Sequence, residues 1–163
     1  MSLEELAEAR DVPLREFACT LLVAIASDHN TTFWQIGDGA ICFREAEAEE
    51  YRVAIWPSKG EYANTTYFLT DSRVQEEFEF DSIELRVVDI ALFSDGLERL
   101  ALDFGSHEAH KKFFTGFFTH LYGKSSGEVS EVQTRLAQFL NSDRVNAKTD
   151  DDKTLILATR ECT

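Results

Sequence analysis

The sequence predicts an α+β domain of antiparallel strands flanked by helices, and three observations carry that reading. Apolar residues alternate with period two in a succession of segments between about residues 15 and 94. After Gly96 the apolar spacing changes to that of two amphipathic helices. The chain then closes on TLILATR (154–160), a strand that has to rejoin the sheet. With 163 residues, 44% hydrophobic and 12% aromatic, one sizeable core and a single domain over 1–163 are expected.

The elements follow in order. Leu3, Leu6 and Ala7 make a partial helical face over 3–9, which Asp11-Val12-Pro13 breaks. REFACTLLVAIA (15–26) alternates apolar residues on both faces, the pattern of a strand covered on both sides. SDHN (27–30) is a turn cluster and TTFWQI (31–36) returns as the second arm of a hairpin. Strands rich in β-branched and aromatic residues are expected at about 40–44, 51–56, 65–70, 79–87 and 88–94. HEAHKKFFTGFFTHLYG (107–123) then spaces Phe113, Phe114, Phe117, Phe118 and Leu121 as a core-facing helix ending near Gly123. A second helix follows Ser125 or Ser126 as its cap, with Val129, Val132, Leu136, Phe139 and Leu140 inward.

Charge and cysteine usage exclude several functions. Acids outnumber bases 30 to 16, for a formal charge of −14, so neither nucleic acid nor an anionic membrane is an expected partner. The surplus suits a solvated surface and also a protein that gathers divalent cations. Cys19, Cys42 and Cys162 are odd in number and show no paired spacing. They read as reduced, small core residues of a cytoplasmic protein. No basic-apolar leader and no apolar run of membrane-spanning length is present, and a natural start earlier than Met1 is compatible with the opening residues.

Three acidic motifs could carry chemistry: IGDGA with Asp38, LFSDGLE with Asp95, and TDDDKT with Asp150, Asp151 and Asp152. Each adjoins an apolar strand that would fix its carboxylate, and the glycines, Gly96 among them, allow close backbone approach. Two carboxylates about 4 Å apart repel by roughly 4 kcal/mol at an effective dielectric near 20, so crowding of this kind needs a counterion or solvent. Oxygen donors without a His or Cys cluster suit Mg²⁺ or Mn²⁺. The competing reading is that Asp-Gly marks β-turns and the triple aspartate is an exposed turn. His107 and His110 are spaced i, i+3 rather than the i, i+4 of a zincin helix, and His29 and His120 read as surface residues.

The ordered set FACTLLVAIA, WQIGDGAICF, ALFSDGLERL and DDKTLILA resembles the metal-dependent serine/threonine phosphatases of the 2C type, the PPM family, over residues 17 to 160. GEYANTTYFLTD (60–71) is similar to the bacterial branch. The resemblance implies a PP2C-like β-sandwich with helices outside, a Mn²⁺ or Mg²⁺ centre, and hydrolysis of phosphoserine and phosphothreonine in proteins by metal-activated water. Carried over by residue, it implies that Asp95 and Asp151 are metal ligands, that Asp152 orients them, that Asp38 matches a ligand of a third metal, and that Gly96 is a further supporting candidate. Two departures accompany it. Arg99 stands where the family has a companion acid, and the early motif whose aspartate bridges both metals is missing. The chain thus resembles the C-terminal portion of a phosphatase, expected to hold metal poorly and to be slow or inactive alone. The alternative is a non-catalytic module of this fold. Missing strands would leave exposed edges that favour a homodimer or pairing with another chain.

Overall fold

The computed structural model describes residues 1–57 and 66–160. The chain opens with helix α1 (Leu3–Arg10), capped by Ser2, whose hydroxyl accepts the Glu5 N–H while the Glu5 carboxylate accepts the Ser2 N–H. Pro13 precedes a single 3₁₀ turn, Leu14–Phe17. A hairpin of β1 (Leu21–Ala26) and β2 (Thr31–Ile36) follows, then β3 (Ala40–Glu45) and the short β4 (Arg52–Val53). Next come α2 (Val74–Glu77), β5 (Glu79–Ile83) and β6 (Val87–Phe93), then a 3₁₀ turn Asp95–Leu97 running into α3 (Glu98–Ala101). The ribbon β7 (Leu102–Asp103) and β8 (Glu108–Ala109) leads to α4 (Lys111–Phe118), α5 (Ser126–Leu140) and α6 (Asp143–Asn146), before β9 (Leu155–Thr159) closes the chain.

The strands form two stacked antiparallel sheets, in the orders β1-β2-β5 and β4-β3-β6-β9. Alternation on β3 sets the layering. Ile41 and Phe43 point between the sheets, where they pack with Phe33 and Ile90. Ala40 and Cys42 point the other way, with Ala91, Phe93, Phe114 and Phe118, under the helices. Phe114 and Phe118 are fully buried. Each contributes about 1.5–3 kcal/mol of apolar burial, which fixes the helical layer to the second sheet.

One buried charge ties this layer together. Asp89, fully buried on β6, accepts from Arg44 Nε at 2.8 Å, Tyr51 Oη at 3.0 Å, Tyr122 Oη at 2.6 Å and Thr159 Oγ1 at 2.7 Å. A carboxylate out of water is tolerated only with such partners. Here they come from β3, the loop before β4, the segment after α4, and β9.

The predicted hairpin, the two long helices and the returning last strand are all present, and Ser125 caps α5 through a reciprocal bond with Glu128. Several expectations are corrected. Residues 15–20 are not strand, and β1 is an edge rather than a strand covered on both sides, since Ile25 is 60% exposed. Period-two alternation cannot tell an edge from an interior strand. Of the strand expected at 65–70, residue 65 lies outside the described residues, 66–68 are irregular and 69–70 begin a turn. The Asp71 carboxylate accepts the Phe68 N–H at 2.7 Å, a donor that a ladder would need. The strand expected at 51–56 shortens to two residues. Cys19 is exposed rather than in the core, Cys42 is buried as expected, and Cys162 lies outside the described residues. Part of GEYANTTYFLTD, residues 60–65, likewise lies outside them.

Candidate functional site

The two sheets leave a cleft at one end, lined by Thr20, Leu22, Asp38, Leu92, Asp95 and Ile156 among others, with a volume of about 270 Å³. Sequence order does not bring these residues together. The second sheet does, because β6 pairs with β3 on one side and β9 on the other, in the registers Phe93↔Ala40 and Phe93↔Leu155. The residues just beyond these pairs, Asp38 before β3, Asp95 after β6 and the 150–152 loop before β9, therefore share one end of the sheet.

Ser94 holds two of these segments in place. Its hydroxyl donates to the Asp152 carbonyl at 3.1 Å and accepts the Thr154 N–H at 3.0 Å, while the Ser94 N–H donates to the Thr154 carbonyl at 3.1 Å. Gly96 permits the approach. A Cβ built there would lie 2.3 Å from the Asp152 carbonyl oxygen, so a side chain has no room. Asp95 sits half-buried and accepts the Gly96 N–H at 2.9 Å. Asp151 is exposed, and its carboxylate accepts the Asp152 N–H at 2.8 Å. Asp38 accepts a hydrogen bond from the Thr66 hydroxyl.

The electrostatics are those of crowded acids. Burial pushes the Asp95 carboxyl above the usual carboxylate range, and the neighbouring charges of Asp38 and Asp151 push it further in the same direction, as does a hydrogen bond with the Asp151 side chain. The sequence-predicted residues Asp38, Asp95 and Asp151 are thus electrostatic neighbours. Asp152 is oriented differently in role: it offers its main chain to Ser94, and its carboxylate has no hydrogen bond or ion pair among the described residues. Asp150 is exposed.

An all-oxygen donor set with carboxylates held in mutual repulsion fits a hard cation in chemistry. In number it falls short, since no three His, Cys, Asp or Glu side chains among the described residues are placed to hold a metal ion together. Sequence reading missed Ser94 and Thr66. Ser94 was legible as the residue before Asp-Gly in LFSDGLE, whereas nothing local marks Thr66, 28 residues from its partner.

Comparison with known proteins gives a consistent picture. The sequence profile described as Protein phosphatase 2C matches residues 1–141, a span that contains Asp38 and Asp95 and stops before Asp151. Serine/threonine-protein phosphatase 3 of Escherichia coli K12 is 40% identical over 152 residues, covering 93% of this chain. The chain spans 59% of that relative's length. Among solved structures, a bacterial serine phosphatase superposes with a TM-score of 0.57 at 13% identity, covering 99% of this chain and 66% of the other. PppA, a key regulatory component of T6SS in Pseudomonas aeruginosa, superposes with a TM-score of 0.53 at 14% identity, covering 96% and 62%. At those identities the superpositions speak for the fold.

Proposed function

Because the chain belongs to the protein phosphatase 2C family, we propose that it is the metal-binding portion of a phosphomonoester hydrolase acting on phosphoserine and phosphothreonine in proteins. The observation that carries this reading is the electrostatic meeting of Asp95, Asp38 and Asp151, three acids far apart in the chain, at one end of the sandwich. Asp95 and Asp151 would hold Mn²⁺ or Mg²⁺, and Asp38 would belong to a separate, weaker metal position rather than join them on one ion. Such an ion, when bound, supplies positive charge to phosphate oxygens and acidifies water.

The chain's own residues have separate tasks in this proposal. Ser94 sets the spacing of the two acid segments by gripping the main chain of 152 and 154, a form of preorganisation that ligands on mobile loops lack. The Gly96 amide holds one carboxylate oxygen of Asp95, and the Asp152 amide one of Asp151. Thr66 orients Asp38. With two principal ligands and no bridging acid, metal affinity is low and turnover by this chain alone is slow or absent. A buried unpaired thiol at Cys42 supports a reducing, cytoplasmic setting. No helix among the described residues is long and apolar enough to cross a membrane.

The test is Mn²⁺ titration by calorimetry, together with Mn²⁺-dependent hydrolysis of p-nitrophenyl phosphate, for the wild type and Asp95→Ala. Weak binding in the wild type that disappears in the variant supports the reading. Equal binding, or none up to millimolar Mn²⁺, overturns it.

A second reading is favoured by a specific observation. The edge strands β1 and β9 expose Ile25 (60%) and Ile156 (56%). An apolar, unpaired edge is a template for another strand. In this reading the chain is an interaction module that dimerises or pairs with another segment through β1 or β9. Sedimentation separates the two readings: concentration-dependent association without Mn²⁺ binding favours the module.

A further inference from the structure

A second cavity, larger than the acid cleft, lies among the described residues. It opens on the helical layer between α4, α5 and α6, with a volume of about 720 Å³, within the range of roughly 300–1,000 Å³ common for small-molecule sites. Consecutive residues of β9 separate the two: Ile156 faces the acid cleft and Leu157 the helical cavity, as strand alternation requires.

The composition of this cavity runs against that of the chain. Acids outnumber bases 30 to 16 overall, yet no aspartate or glutamate lines it. Lys111, Lys112, Arg135, Arg144 and Lys148 do. Lys111 is neutralised by Glu49 and Glu50, and Arg135 by Glu131. Lys112, Arg144 and Lys148 have no ion pair among the described residues. Below this rim the wall is aromatic: the half-buried Phe113, Phe117 and Phe139 stack edge to face, with centroid distances of 5.1 Å from Phe113 to Phe117 and 5.2 Å from Phe117 to Phe139.

From a cationic rim above an aromatic wall we infer that this cavity binds a small amphipathic anion, a single apolar chain carrying a phosphate or carboxylate head. The head is held by Arg144 and Lys148 on the α6 side and Lys112 on the α4 side. Guanidinium takes two oxygens of such a head at once, and ammonium acts as a point charge. The tail lies on the Phe113–Phe117–Phe139 wall. A free phosphate would leave that wall wet, and an uncharged apolar molecule would leave three cations uncompensated. The cavity is distinct from the acid cleft, so this inference does not rest on the phosphatase reading.

The experiment uses the whole chain, ¹⁵N-labelled, titrated with monomeric dodecyl phosphate. Amide shifts are expected to concentrate in α4, α5 and α6 and to weaken at high salt. Arg144→Glu/Lys148→Glu is expected to weaken binding by about tenfold or more, while Arg10→Glu/Arg15→Glu, a reversal of two charges on α1 and the turn after it, leaves it unchanged. Inorganic phosphate and dodecyltrimethylammonium are expected to bind far more weakly. The inference is overturned by shifts that map instead to Ile25 and Phe80 on the first sheet, by equal affinity for the cationic detergent, or by undiminished affinity in the double variant. Circular dichroism of each variant keeps loss of fold apart from loss of the site.

Discussion

Gly96 lies against Asp152 so closely that a methyl group on its Cα would stand 2.3 Å from the Asp152 carbonyl oxygen. The obstacle is main chain, and the same carbonyl accepts the Ser94 hydroxyl. It can move only if the Ser94 grip on residues 152 and 154 is broken.

Gly96→Ala is therefore expected to destabilise the fold by about 1–3 kcal/mol, the usual cost of forced overpacking. It should also lower Mn²⁺ affinity by pushing the Asp151 segment away from Asp95. Urea unfolding and calorimetry check the two effects. A variant as stable as the wild type would mean that the 150–152 loop yields freely.

Asp38→Asn removes one of the like charges that press on Asp95, and the Asn side-chain oxygen can still accept from Thr66. Discounted for solvent screening at a half-exposed site, the gain without metal is about 0.5 kcal/mol, or roughly 1–2 °C in midpoint. Thermal melts with and without Mn²⁺ check it: the variant should melt higher in chelator, and added Mn²⁺ should reverse the order.

Asp89→Ala leaves Arg44, Tyr51 and Tyr122 without their shared acceptor. Breaking a buried pair from one side costs about 3–5 kcal/mol. The double variant Asp89→Leu/Arg44→Met should recover much of the loss, because no charge is then left unpaired. Chemical denaturation of the wild type and the two variants measures the loss and the recovery.

The cap of α5 carries a pH dependence. Glu128 is held down to about 2, first by the Ser125 N–H, then by the Ser125 hydroxyl and Lys124. Its folded value lies below its unfolded value of about 4.5. Its contribution is therefore fully present above about pH 4.5 and disappears as pH falls through about 2. A carboxyl ¹³C titration of Glu128 should show a midpoint near 2, and Ser125→Ala should move it upward.

The fold was legible where local chemistry decides the element. The SDHN turn, the Ser125 cap with Glu128 three residues on, and the helical spacing of Phe113 to Phe118 each describe a neighbourhood of a few residues. It was not legible where distant backbone decides. The edge position of β1 depends on which strands lie beside it, and the irregular path over 66–70 includes the capture of the Phe68 amide by Asp71. In the site, Asp95 and Asp151 stood out through the resemblance that SDG and DD-x-T carry, since Asp-Gly and a run of aspartates by themselves also describe turns. Ser94 was visible as the residue before Asp-Gly, but its role was hidden because its partners lie 58 and 60 residues away. The buried Asp89, inside VVDIALF, was equally silent: only the fold supplies its four donors.

The placement of β9 also sets an order of events. Asp89 meets Thr159 across 70 residues, and Arg160 reaches Asp28 across 132. Contacts of such separation form slowly, after the hairpin and helices have found their local partners. On a ribosome, residues 155–159 emerge after β1 to β8 have left the exit tunnel. The cleft is thus completed only when β9 docks, whereas the β3–β6 pairing that brings Asp38 and Asp95 to one end of the sheet needs no residue of β9.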